Sequence, residues 1–329
     1  MSAVVVKGSG GGGLGDSIRA VLAGIAYSIA SDRMLYVDWS HGVLSESGVN
    51  AFSHLFSLHN VATIQTLPED NNVYPEAWKD RLSFSLDSIY QQDGAPPWNR
   101  SAAIRIYSFD FSRLDYSERV LVMWDFDQID KLKWYFSEQE SIKNAFASEA
   151  YILKKHLRPA PAICAKVEQE WSKFGGGPMI GLHARSTHEF ARNKGSICMD
   201  QYLSAVGTAL SRQPQANIFV ASDNADCIEK ILEHYPHAII RNKWLASPGQ
   251  SLHLNSNCPN KLQAAKDGLI EMLILARCDQ IVCPANSSFS RTARLMGDFN
   301  ADDETLLLPE RSFLERILSR IRQGMRQSG

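Results

Sequence analysis

The chain has 329 residues and a formal net charge of −2, with 44% hydrophobic and 21% charged residues. Ordinary apolar content with a near-neutral balance excludes a disordered chain, and leaves no broad cationic footprint for nucleic acid. A chain of this length predicts two domains, each able to bury a core without disulfide or metal staples.

Taken in order, Ala3 to Val6 is a short apolar run that reads as a buried strand. Six of the 21 glycines follow or flank it, at Gly8, Gly10, Gly11, Gly12, Gly13 and Gly15. Asp16 to Ala30 then carries Ile18, Val21, Leu22, Ile25, Ala26 and Ile29 at helical spacing, and Met34 to Trp39 is a second strand. Strand, tight turn, helix and strand form a βαβ unit with a parallel sheet. From 40 to 100 the periodicity is weak, and Gly94, Pro96 and Pro97 mark a loop. Arg119 to Trp124 is a further strand. A helical region containing LRPAP (Leu157 to Pro161) leads into a helix over Cys164 to Trp171.

The glycine-rich run Lys173 to Pro178 is the predicted boundary, dividing the chain into domains 1–173 and 174–329. Beyond it, strands at Met179–His183, Asn217–Ala221, His237–Ile240 and Gln280–Cys283 alternate with helices at Met199–Arg212, Ala225–His234, Gln263–Ala276 and Ser290–Met296. The expected fold class is therefore α/β, with two Rossmann-like lobes whose parallel sheets face a central cleft. No apolar run reaches the ~20 residues that cross a bilayer. The start lacks the pattern of a secretory signal, and the six cysteines show no CxxC or zinc spacing. These features predict a cytoplasmic protein with reduced thiols.

Four clusters carry chemistry. The glycine turn between strand and helix lets the backbone approach a diphosphate at a helix N-terminus. It satisfies GxGxxG, with Asp38 where a ribose-binding acid would stand, and no Lys-Ser/Thr follows to make a P-loop. His183 and Arg185 end the first strand of the second lobe, beyond which ligands bind in open α/β sheets. A guanidinium there can grip two phosphate oxygens and stabilise a leaving diphosphate. Ser222 and Asp223 end the next strand, and Asn286 to Arg294 (NSSFSRTAR) lies between a strand and a helix. Taken alone, each of these last two reads better as the N-cap of the following helix.

Together these segments resemble the NodZ-type α1,6-fucosyltransferases, which include the bacterial nodulation enzyme and the animal core fucosyltransferase. The similar segments are GGLGDSIRAVLAGIAYSIASDRMLYVDW, LKKHLRPAPAI, IGLHARST, FVASDNADCI and EMLILARCDQIVCPANSSFSRTARL. They occur in the family's order at similar spacing, while residues 60–145 are unmatched beyond a VLVMW strand. The resemblance implies a GT-B fold, a GDP-fucose donor (or another GDP-sugar), inversion at the anomeric carbon, and neither metal nor other cofactor. It implies a donor-phosphate role for Arg185, and donor contacts for His183, Asp223, with Ser222 beside it, and Ser288, Phe289 and Ser290. Gly13, Gly15 and Asp16 match the loop near the phosphates, and Glu271 stands where the family usually has Asp, near the guanine. Ser186 departs from the family's second arginine, which removes one cationic contact. Glu189 is the candidate acceptor base.

The acceptor expected from the resemblance is an oligosaccharide or glycolipid, with its contacts in the unmatched middle segment. Alternatives are an NAD(P)-dependent oxidoreductase using the glycine turn and Asp38, and a metal-dependent glycosyltransferase using Asp125–Phe126–Asp127 as a DxD. A third is a nucleotide-sugar binder without transfer. Arg311 to Arg326 reads as an amphipathic helix whose apolar stripe packs on the protein, or makes at most a peripheral membrane contact.

Overall fold

The computed structural model describes residues 2–8, 12–94, 100–125, 131, 145–185, 197–246 and 257–309. Contacts divide the chain into two compact units. The first comprises Met1–Gly175, Ser256–Arg277 and Ser288–Asp298, and the second Gly176–Asn255, Cys278–Ser287 and Phe299–Gly329.

In the first unit, β1 (Ala3–Lys7) leads through the glycine turn into α1 (Leu14–Ser31) and back to β2 (Met34–Asp38). α2 (Ala51–Leu55), β3 (Phe56–Leu58), β4 (Val73–Tyr74), α3 (Leu86–Gln92), α4 (Arg100–Tyr107) and β5 (Val120–Met123) follow. The parallel sheet runs β2-β1-β5-β4. Val4, Val5 and Val6 are fully buried, which is why β1 is an unbroken apolar run and not an alternating one. α1 lies close over the sheet because Gly24 has no side chain; a Cβ there would fall on Val6.

α5 (Ala145–His156) gives way to β6 (Leu157–Pro159), which pairs antiparallel with β3, and α6 (Pro161–Trp171) starts with Pro161 in its first turn. The expected helical reading of LRPAP thus becomes a strand, since Pro159 and Pro161 cannot continue a helix but Pro161 can begin one.

The second unit is built on β7 (Met179–Ala184), with α7 (Met199–Arg212), β8 (Asn217–Ser222), α8 (Ala225–His234), β9 (Ile239–Ile240), β10 (Gln280–Pro284) and β11 (Glu304–Leu307). Its sheet is parallel in the order β11-β10-β7-β8-β9. Ile180, Leu182, Ile218 and Val220 pack with Tyr202 and Val206 of α7. The order reverses between β7 and β10, so the carboxyl ends of those strands form a switch point where ligands bind. β11 was not expected from the sequence.

Between β9 and β11 the chain returns to the first unit twice, as α9 (Lys261–Arg277) and α10 (Ser288–Met296). The sequence division placed all of 174–329 in one lobe; α9 and α10 instead pack with α1, α5 and α6. Periodicity records that a helix buries one face, not which neighbour covers it. Helix α10 also begins at Ser288, two residues before its expected start at Ser290.

Candidate functional site

At the carboxyl edge of the second sheet, β7 and β8 run in register with His183 opposite Ala221 and Ala184 opposite Ser222. His183 is 5% exposed, and its pKa is pushed down to about 3, first by burial and then by the charges of Arg185 and Lys243. The imidazole is therefore neutral at physiological pH, able to donate or accept a hydrogen bond without adding charge. Lys243, from the segment after β9, was not singled out in the sequence because it belongs to no motif.

Arg185 follows β7 directly, and its backbone is held by α7. The Tyr202 hydroxyl accepts from Arg185 N–H at 3.1 Å and donates to the Arg185 carbonyl at 3.2 Å. Its guanidinium Nε lies 3.8 Å from Asp223 Oδ2, an ion pair beyond hydrogen-bond length. Asp223 is not the cap of α8: Asn224 takes that role, its Oδ1 accepting from Cys227 N at 3.2 Å. Ser222 Oγ accepts from Asn224 N at 3.2 Å and so shapes the turn. Past β10, Ser287 is 3% exposed, and its hydroxyl has no hydrogen-bond partner among the described residues.

The remaining expected donor residues lie in the first unit. Gly13 is the N-cap of α1, and its carbonyl accepts from Ser17 N at 3.1 Å. A Cβ on Gly15 would stand 2.5 Å from the Ser288 carbonyl carbon and 2.6 Å from Phe289 N. The first turns of α1 and α10 are thus in backbone contact, which brings Gly13, Gly15 and Asp16 together with Ser288, Phe289 and Ser290. Two helix N-termini side by side offer N–H donors and partial positive charge to an anion. Ser290 is buried, and Glu271 is buried on α9. The sequence reading gave Glu271 and Ser288–Ser290 to the second lobe; both belong with the first unit, for the packing reason above.

Asp38, the acid needed by the dinucleotide reading, is engaged elsewhere. Lys7 Nζ lies 2.5 Å from its Oδ2, and Ser40 N donates to Oδ1 at 3.0 Å. Lys7 also donates to the Leu82 carbonyl at 2.6 Å. Glu189 and Ser186 lie outside the described residues, as do Ser9 to Gly11, Phe126, Asp127 and the helix expected at 311–326. No cluster of metal-ligating side chains occurs among the described residues. Among them, too, no helix is long and apolar enough to cross a membrane.

Parallel α/β sheets in two units give a GT-B-like architecture. The sequence profile of the Nodulation protein Z (NodZ) family matches residues 3–317, and the chain belongs to that family. A crystal structure of NodZ α-1,6-fucosyltransferase soaked with GDP-fucose aligns with a TM-score of 0.60 at 20% identity, covering 92% of this chain and 96% of that one. Fucosyltransferase NodZ from Bradyrhizobium gives a TM-score of 0.59 at 18% identity, with 90% and 93% covered. POFUT1 in complex with GDP-fucose gives 0.56 at 12% identity, with 94% and 98% covered. No curated relative matches by sequence.

Proposed function

We propose that this NodZ-family chain transfers fucose from GDP-fucose to a hydroxyl of an oligosaccharide or glycolipid, with inversion and without a metal. The arrangement of Arg185 carries this reading: its backbone is fixed by Tyr202, its charge is balanced by Asp223, and it stands beside neutral His183 at a switch point. Glycosyl transfer passes through an oxocarbenium-like state while negative charge builds on departing GDP. Arg185 meets that charge as a fixed cation, which works best where it needs no reorganisation. Within the first unit, the adjoining N-termini of α1 and α10 offer N–H donors to an anion and Glu271 stands where the resemblance places a guanine contact; within the second, Ser222 stands beside Asp223 at the strand end. Glu189 withdraws the proton from the acceptor hydroxyl as it attacks the anomeric carbon. The first unit takes the acceptor, and the reaction belongs in the cytoplasm, with at most peripheral membrane contact.

The test is a thermal-shift series with GDP, GDP-fucose, UDP, ADP and NAD on wild type and Arg185→Ala. GDP and GDP-fucose raise the melting temperature of the wild type and lose most of that effect in the variant. Stabilisation by NAD but not by GDP overturns the reading. Turnover of GDP-fucose unchanged by a chelator supports metal independence, and loss of turnover overturns that part.

A further inference from the structure

The touching N-termini of α1 and α10 raise a question of charge. Each helix start carries roughly half a positive charge, and each has an arginine one turn in, Arg19 on α1 and Arg291 on α10. Four positive elements gathered at one place repel one another. Besides Asp16 in the first turn of α1, the structure brings a carboxylate to them from a third helix. Glu149 of α5 is 1% exposed; its Oε1 lies 3.1 Å from Arg19 Nη2, and its Oε2 lies 2.9 Å from Arg291 Nε. The arginine side chains are 19% and 26% exposed, so the pairing is well shielded from water.

We infer that Glu149 is a positioning residue for donor binding: its carboxylate ties Arg19 to Arg291 and so holds the two helix starts at the separation a diphosphate requires. This inference rests on the GDP-fucose reading above. Two further observations support it. Gly15 meets Ser288 and Phe289 backbone to backbone, so the spacing of the two starts is set without a side chain to buffer it. Across from that contact, the Phe289 ring lies over Gly268 of α9, where a Cβ would stand 3.9 Å away, and Leu14 lies 3.8 Å from the same point. The helix starts are thus fixed laterally by α9 and electrostatically by Glu149. With Asp16 in the first turn of α1, the two arginines and two carboxylates sum to zero, so the attraction for an anion is that of the helix starts themselves, and the repulsion between the arginines is offset before the anion arrives. Such prior organisation lowers the cost of binding.

The test compares wild type, Glu149→Gln, Arg19→Met and the variant carrying both for melting temperature, for GDP affinity by calorimetry, and for KM of GDP-fucose and kcat well below the melting temperature. The expected result is a rise of about tenfold in GDP Kd and GDP-fucose KM in both variants, the size of effect a small displacement produces, with kcat within about twofold of wild type. The double variant is expected to lose little beyond Glu149→Gln alone, because both changes open one clamp. A lower melting temperature with GDP affinity and KM as in wild type overturns the inference and leaves Glu149 a purely structural residue. If Glu149→Gln fails to fold, Arg19→Met alone decides: unchanged GDP affinity overturns the inference. Failure of wild type itself to bind GDP overturns the donor reading and this inference with it.

Discussion

The hydroxyl of Tyr202 holds both backbone polar groups of Arg185, accepting from its N–H at 3.1 Å and donating to its carbonyl at 3.2 Å. The phenol comes from α7, whose ring sits fully buried in the core of the second unit. A side chain anchored in the core thereby fixes the strand end from which the guanidinium projects. Tyr202→Phe keeps the ring and removes both bonds, leaving two partly buried backbone groups unpaired at about 1–3 kcal/mol. The expected outcome is a folded protein of lower stability whose GDP affinity falls about tenfold, as expected for a displaced binding group. Calorimetric titration with GDP checks it, and affinity equal to wild type would show that Arg185 does not depend on this anchor.

Gly15→Ala places a methyl on the backbone of Ser288 and Phe289, which has no rotamer with which to retreat. Overpacking of this kind costs about 1–3 kcal/mol, set against a gain of about 1 kcal/mol in helix propensity. Gly24→Ala is the control, since its methyl meets the Val6 side chain at the sheet. Both variants lose stability, but only Gly15→Ala also loses GDP affinity. Chemical denaturation paired with GDP titration separates the two. Equal loss of affinity in both would detach the α1–α10 contact from donor binding.

His183 carries a pH signature. Its folded pKa of about 3 lies below the ordinary histidine value, with burial as the main cause. The unfolded chain takes up a proton near pH 6.5 and the folded chain does not. Stability is therefore complete above that value and falls as pH drops toward the folded pKa, by up to about 1.4 kcal/mol per unit. Urea denaturation from pH 7 to 4 is expected to show a shallower slope for His183→Gln than for wild type. Identical slopes would mean that His183 titrates in the folded protein.

Asp38 acts in the opposite range. Burial pushes its carboxyl up, but the Lys7 charge and hydrogen bond, with the Ser40 contacts, outweigh this and hold it below the usual carboxylate value. The stability it contributes is present above the unfolded carboxylate pKa near 4 and is lost as pH falls through the lower folded value. Breaking such a buried pair costs about 3–5 kcal/mol. Asp38→Asn is expected to lose that much at pH 7, with the gap to wild type narrowing by up to about 1.4 kcal/mol per unit as pH falls below the unfolded carboxylate value. A gap that stays constant from pH 6 down to pH 3 contradicts this account.

Much of the fold is legible in the residues, for local reasons. The amphipathic runs Met199–Arg212 and Ala225–His234 became α7 and α8 with those bounds, and the Val run became β1. Residues 40–100 were opaque because α2 has five residues and β4 two, too few to display a period. The candidate positions His183 and Arg185 were legible because a motif ended a strand there. The contacts of Glu149 and Tyr202 were not, because their partners lie far along the chain or on the backbone. Glu149 sits 130 residues from Arg19 and 142 from Arg291, and nothing around it signals either. Tyr202 reads as one more apolar position of α7, since its hydroxyl's partner is a backbone.

The first unit is assembled from three separate stretches of chain, the last ending at Asp298. Its αβ layers therefore cannot close during synthesis until nine-tenths of the polypeptide has emerged, whereas domains made of one stretch fold as they leave the ribosome. β1 and α1, among the earliest parts made, must wait for α10 to cover the glycine turn. The nascent protein thus exposes the apolar run of β1 and the start of α1 for most of translation. Shortening the gene's 3′ end before Asp298 is expected to disable the oldest part of the chain as surely as the newest.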